Sequence, residues 1–273
     1  MQVERPPSQD QRLPRRSAAV DLARECIYRF LAAVVGGPYS NAWGQALDPS
    51  AQDLALAAAD LLEPRPAPNS LPLATDPASV ASEITRLVDE LRAPRGACRA
   101  DFDRVFGLVV PKECPPYETE YHPTKETFAR SQEMADVAGF YHAFGIEPAQ
   151  SSPERPDHLA LELEFMAFLL LKRREALATA DVNPDAAEQV DVCDHAQRDF
   201  FRDHLAWWTP TFAAGLRRKA GGGCCHALAG ALAAWVSDEC RRLGIDAVLR
   251  PLRPELIEQP EEQSGCVTCP IFS

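Results

Sequence analysis

Apolar residues recur along this chain at intervals of three and four, and no stretch alternates with period two between hairpin turns. From Ser17, a good N-cap residue, Val20, Ala23, Cys26, Ile27, Phe30, Leu31 and Val34 share one helical face, and Gly36-Gly37-Pro38 stops it. Asp48-Pro49 reads as a cap followed by proline at the first helical position, with helix to about Leu62. Asp76-Pro77 predicts the next helix, with Val80, Ile84, Leu87, Val88 and Leu91 on one side. A short helix through Phe102, Val105 and Phe106 ends at Gly107. Residues 111–123 are irregular because Pro115-Pro116 removes two donors in a row. Helix returns over Thr124 to Phe144 with Met134, Val137, Tyr141 and Phe144 inward, and Gly145 ends it.

The most apolar helix starts at His158 and runs to about Ala180. Asn183-Pro184 opens a helix carrying Val190, Cys193, Phe200, Phe201 and Leu205, and Thr209-Pro210 opens a short one. Gly221-Gly222-Gly223 breaks the chain before a last helix through Leu228, Leu232, Trp235, Val236 and Leu243, stopped by Gly244. The pattern predicts an all-α, bundle-like single domain of about nine or ten helices. Residues 1–16 read as a disordered polar arm, 17–253 as the domain with a Pro-rich loop at 63–77, and 254–273 as a flexible tail.

Composition narrows the function. The chain carries 28 basic and 40 acidic side chains, a net charge of −12, which repels phosphate backbones and argues against nucleic acid. The same charge suits a basic partner. No uninterrupted apolar run is long enough for a membrane span. Arg15-Arg16 before Ser17 superficially resembles an export signal, but Asp21, Arg24 and Glu25 interrupt what would be its apolar stretch. Nine scattered cysteines, several inside apolar helical patterns (Cys26, Cys193, Cys240), do not form a disulfide framework and point to a reducing compartment.

Candidate chemistry is sparse. No glutamate stands three residues before a histidine, so the usual carboxylate-bundle metal pattern is missing. His158 with Glu162, and Asp191, His195 and Asp199, have ligand-like spacing, but the same spacing gives ion pairs on a solvated face. Gly221 to His226 lacks the ending of a phosphate loop. Cys266 and Cys269 form a Cys-x-x-Cys pair, two ligands where closed zinc needs four, and they carry the alternative reading of a metal- or redox-active helical protein. No acid–base pair or Gly-x-Ser-x-Gly element points to an enzyme, and no cofactor site is expected.

What remains is a surface. Asp157 and His158 sit where a proline-containing loop enters the apolar helix; Asp157 is placed to cap free backbone N–H groups, and His158 to meet a ligand. Pro115 to Tyr121 reads as a second exposed element, offering Tyr117, Glu118 and Tyr121 to a ligand both apolar and basic. Leu159, Leu163, Phe165 and Met166 read as core.

Ala135 to Gly145 followed by Glu154-Arg-Pro-Asp-His158 and Leu159 to Met166 resembles the TorD/DmsD/NarJ family of dedicated chaperones for molybdenum oxidoreductases. Asp101 to Phe106, Pro116 to Tyr121 and Phe201 to Pro210 resemble further stretches of that family in the expected order, so the likeness runs over roughly 17–245. The resemblance implies a cytoplasmic, all-helical protein that binds a twin-arginine signal peptide and the immature catalytic subunit until its molybdopterin cofactor is inserted. The family's Asp-His pair, linked there to peptide binding, maps onto Asp157 and His158; beside it Glu154, Pro156, Tyr117, Glu118 and Tyr121 are expected to support binding, and the chain is expected to be a monomer or a domain-swapped dimer, with loop 146–156 a candidate hinge. The pattern looks closest to the branch serving enzymes that act on small molecules such as selenate, chlorate or dimethyl sulfide. Reports of nucleotide binding in the family suggest a nucleotide-hydrolysing regulator as a third reading, which no phosphate loop supports here.

Overall fold

Ten α-helices and no strand are present among the residues described by the computed structural model, 13–63, 79–94, 96–107, 113–123, 127–147 and 154–246, with side chains from Ala18 onward. The order is α1 (Leu13–Val35), α2 (Trp43–Ala46), α3 (Pro49–Leu62), α4 (Val80–Leu91), α5 (Ala97–Val105), α6 (Thr127–Ala143), α7 (Leu159–Ala178), α8 (Ala186–Phe200), α9 (Thr209–Ala220) and α10 (Gly223–Leu243). The all-α expectation holds. Cys266, Cys269 and the Pro-rich stretch from residue 64 lie outside the described residues.

Several boundaries differ from the pattern for local reasons. Residues 13–16, expected in a polar arm, are helical: Pro14 falls in the first turn, where a missing N–H costs nothing, and Ser17 is interior rather than an N-cap. Helix α4 takes Ser79 as its cap, with Oγ accepting from the Ser82 N–H at 3.2 Å, in place of Asp76. Asp48 caps α3 as expected, accepting from the Ser50 N–H at 2.8 Å. Helix α6 is described from Thr127, and residues 124–126, where the pattern starts it, lie outside the described residues. The short α2 was not legible in the pattern. Gly221 ends α9 at φ 67°, and Gly244 ends α10 at φ 62°, left-handed positions that glycine tolerates.

Helix α1 is the inner member: it packs on α7, α3 and α10, while α10 also packs on α9, α4 and α5. Its apolar face buries Ile27, Tyr28, Leu31 and Val34 completely. One polar clasp crosses that core. Arg24 donates to both carboxylate oxygens of the buried Glu239 at 2.8 and 2.6 Å, and the Tyr28 hydroxyl adds a third bond at 2.7 Å. The fork satisfies a charge that would otherwise be costly to bury.

After α8 the backbone widens into one π-helical turn over Phe201–Leu205, with the Ala206 N–H reaching back five residues to the Phe201 carbonyl at 2.8 Å. The extra residue turns Phe200, Phe201, His204 and Leu205 all inward. That turn places His204 opposite the segment containing Glu118.

Candidate functional site at the start of the longest apolar helix

The residues before α7 are tied to the Pro-Pro segment by backbone and side-chain bonds together. The Glu118 N–H donates to the Asp157 carbonyl and the Leu159 N–H to the Pro116 carbonyl, both at 2.9 Å, with Tyr117 and His158 paired as an isolated antiparallel bridge. Asp157, fully buried, accepts from the Thr119 N–H (3.1 Å) and hydroxyl (2.9 Å) and from Arg155 Nε (3.0 Å) and Nη2 (2.7 Å). It therefore holds the neighbouring loop and does not cap the helix. The cap is His158, whose Nδ1 accepts the Ala160 N–H at 3.1 Å. That bond needs an unprotonated Nδ1, and burial lowers the His158 pKa accordingly. Tyr117 closes the outside: its ring meets His158 edge-on at 5.0 Å, lies under the Arg155 guanidinium at 4.3 Å, and its hydroxyl faces Glu154 at 3.3 Å. Burial and Glu154 push the Tyr117 phenol up to about 12.

Behind this knot lie two buried glutamates. Glu118 accepts from Trp207 Nε1 at 2.8 Å and faces His204 Nδ1 at 3.1 Å. Burial raises its pKa, and His204 opposes the rise. Glu162 is equally buried, yet neither carboxylate oxygen has a hydrogen-bond partner among the described residues. Burial, and then the Glu118 and Asp157 carboxylates, raise its pKa well above the usual range; the Trp208 indole opposes this weakly, because its N–H is given to the His204 carbonyl. Burial thus favours the neutral acid over the carboxylate at Glu162. The solvated-face reading of the His158–Glu162 spacing is overturned, since both residues face inward.

In front of the knot is an open cleft of about 510 Å³. Its floor is Leu161, Phe165 and Phe168 of α7 with Ile146 and Ala33, and its rim carries Glu147, Glu154 and Glu164. Arg29, also on the rim, is engaged by Glu25 at 2.9 Å. Tyr141 and Pro156 close one wall and are joined by a hydroxyl-to-carbonyl bond of 2.9 Å. Desolvation raises the pKa of Glu164, and Arg29 opposes the rise. A second cation arriving there would favour the charged carboxylate. The arrangement presents an apolar bed edged by three acids, suited to a ligand with an apolar run and basic groups, and it offers no nucleophile paired with a base.

A family model described as nitrate reductase delta subunit matches residues 73–214. The chain belongs to that family. It is the family of TorD- and NarJ-like chaperones for molybdoenzymes, and the all-helical fold is consistent with it. A chlorate reductase assembly chaperone of Ideonella dechloratans is 35% identical over 96 residues, 35% of this chain and 45% of that protein. A selenate reductase assembly chaperone of Thauera selenatis is 32% identical over 96 residues, with the same coverage. The chaperone protein TorD of Vibrio cholerae (strain O395) is 26% identical over 144 residues, 50% of this chain and 61% of that protein. The chain thus spans about half the length of the curated relatives it matches. These relatives are named as chaperones, not as catalysts.

Within this chaperone family member, the residues singled out from sequence divide by position. Glu154 and Pro156 line the cleft. Asp157, His158, Glu118 and Tyr121 are buried, and Tyr117 is half-buried over His158. The Pro115–Tyr121 segment is therefore a buried brace and not the exposed element its composition suggested. Sequence reasoning missed Glu147, Glu164, Leu161 and Phe168; Phe165 was read as core, and its ring, though buried, floors the cleft. The signal that was available is the alternation Leu161-Glu-Leu-Glu164 on a helix, which sends one acid inward and one to the rim.

Among the described residues no cluster of three His, Cys, Asp or Glu side chains is arranged to hold a metal. His195 Nδ1 instead meets the Asp191 carbonyl oxygen at 2.7 Å. No described helix is long and apolar enough to cross a membrane.

Proposed function

We propose that the protein is a cytoplasmic assembly chaperone for the catalytic subunit of a molybdenum-containing oxidoreductase, and that the cleft at the start of α7 holds the subunit's twin-arginine signal peptide. The reading rests on the cleft: its apolar floor and its three-acid rim match the two halves of such a peptide, a basic start and an apolar middle. Family membership and the chlorate and selenate reductase chaperones among its relatives support a client of the oxyanion-reducing kind. Binding delays export and keeps the immature subunit available until its cofactor is inserted.

The magnitudes are adequate. Micromolar affinity needs about −8 kcal/mol. Burying a Leu or Phe side chain yields about 1.5–3 kcal/mol, so three or four of them suffice even after the ordering cost. The acidic rim mainly speeds encounter and fixes direction, and it weakens with salt. Asp157 and His158 act here as positioning residues: Asp157 holds the Thr119 loop, and His158 fixes the first turn of α7 that carries Leu161.

The test is a calorimetric titration with a synthetic peptide containing an arginine pair followed by a leucine-rich stretch. Binding is expected in the micromolar range, and Phe168→Asp, at a half-buried cleft position, is expected to lower affinity about tenfold or more. A peptide that does not bind, or that binds the variant as tightly, would overturn the reading.

A further inference from the structure

A second cleft, of about 570 Å³, lies further along the same helix. Its lining takes Lys172, Glu175 and Ala176 from α7 and the C-cap Thr179, while the first cleft takes Leu161, Glu164, Phe165 and Phe168. With Glu164/Phe165 and Glu175/Ala176 taken as neighbouring pairs, these positions recur every three to four residues, so both clefts sit end to end on one face of α7. The Phe144 ring lines the second cleft and packs on Phe165 at 5.7 Å and Phe168 at 6.4 Å, which floor the first. The ring that lines the second cleft thus backs the floor of the first, and no charged residue of α7 on this face lies between Phe168 and Lys172.

The second cleft repeats the chemistry of the first. Its apolar part is Phe144, Ala176, Val192 and the buried Cys193. Val192 is 50% exposed, a large aliphatic side chain left open to solvent inside a cleft. Its rim carries Glu175, Asp185 and Glu188. The one cation, Lys172, is engaged by Glu175 at 2.7 Å, which leaves the acids of α8 and its approach, Asp185 and Glu188, to set the local sign. Each cleft therefore has an apolar bed with three acids and one internally paired cation.

We infer that the two clefts form one peptide track, and that its occupant is the signal peptide proposed above, lying extended with its arginine pair at the first rim, its apolar run across Phe144, and a further basic residue at the second rim. This rests on the reading of the first cleft as the peptide site. From Leu161 to Thr179 the helix rises about 27 Å, which an extended chain spans with about eight residues. The track thus selects for the spacing of positive charges along the peptide, and not only for an arginine pair.

The experiment uses the full chain, two peptides and two variants. The long peptide has an arginine pair, about eight apolar residues and a lysine; the short one stops about three apolar residues after the pair. Glu188→Lys/Val192→Lys alters only exposed positions of the second cleft, and Phe168→Asp alters the first. The wild type is expected to bind the long peptide about tenfold more tightly than the short one, with the double variant losing that advantage and binding the short peptide as the wild type does. Equal affinity of the double variant and the wild type for the long peptide overturns the track, and if Phe168→Asp still abolishes binding, the first-cleft reading stands alone. A wild type that binds neither peptide overturns both. Thermal denaturation of the double variant accompanies the titration; a fold lost through these exposed substitutions contradicts the placement of Val192 and Glu188 at the cleft surface.

Discussion

Replacing Glu162 with methionine should make this protein more stable. Glu162 is fully buried at the start of α7, and neither of its oxygens has a hydrogen-bond partner among the described residues. Protein mutational data put the cost of such a group at about 1–3 kcal/mol even when neutral. Its place near the positive end of α7 returns only about 0.3–1 kcal/mol, and only to a charged carboxylate, which burial disfavours. Burial cost exceeds dipole gain, so Glu162→Met is expected to gain about 1–3 kcal/mol, or about 2–4 °C in Tm per kcal/mol at this size.

The pH dependence carries the sharper signature. The folded pKa is raised, so the folded state binds a proton that the unfolded state releases above the ordinary carboxylate range. The stability this group contributes is fully present below the unfolded pKa and is lost as pH rises toward the folded one. The advantage of Glu162→Met should therefore grow between acid and neutral pH. Glu162→Gln, which keeps the polar group and removes the proton, should flatten the pH profile without the full gain. Urea titrations of the three proteins at several pH values between about 4 and 8 measure this. A methionine variant destabilised at every pH, with an unchanged profile, would show that Glu162 is partnered, and the burial argument would be wrong.

Asp157→Ala removes both bonds to Thr119 and should cost about 1–3 kcal/mol, with faster amide exchange at Thr119 and Glu118 while the α10 core stays protected. Gly215 on α9 approaches the Glu113 carbonyl so closely that an added Cβ would sit 3.0 Å from it, so Gly215→Ala should cost about 1–3 kcal/mol, read as a lower Tm. Because Glu164 protonates at a higher pH than an ordinary glutamate, peptide affinity should begin to fall on acidification from above the ordinary carboxylate range, and Glu164→Gln should remove that early phase in a calorimetric pH series. Affinity should also weaken as salt rises, and less so in a Glu147→Gln/Glu154→Gln/Glu164→Gln triple variant.

The helices were legible because each buries a stripe whose period shows in the sequence. Ile27, Leu31 and Val34 are as buried as their spacing on α1 predicts, and Leu159, Leu163, Phe165 and Met166 are core as expected. Caps were legible where one candidate stood alone, as at Asp48, and not where several competed. Asp157 looked like the better cap beside His158, but a carboxylate able to hold Arg155 and Thr119 at once gains more by turning away from the helix. The π-turn left no mark in the hydrophobic pattern, since Phe200, Phe201 and Leu205 fit an ordinary helix equally well.

The site was legible only in part because it is assembled from segments far apart in the chain. Ala33, Ile146, Glu154 and Phe168 share one cleft, and nothing local to any of them signals the others. The depth of the Pro115–Tyr121 segment was misread for a related reason. Its charges suggested solvent, but Glu118 is matched by Trp207 and His204 from a turn some eighty-six residues away.

The central claim is that the first cleft holds a basic-then-apolar peptide, and site-specific photocrosslinking tests it most directly. A peptide bearing a benzophenone group at the first apolar residue after its arginine pair is irradiated with the wild-type chain, and the crosslinked residues are located by mass spectrometry. The account predicts crosslinks to Leu161, Phe165, Phe168 or Ile146, the residues that floor the cleft. Crosslinks confined to α4, α5 or α10, on helices that do not line it, would contradict the account.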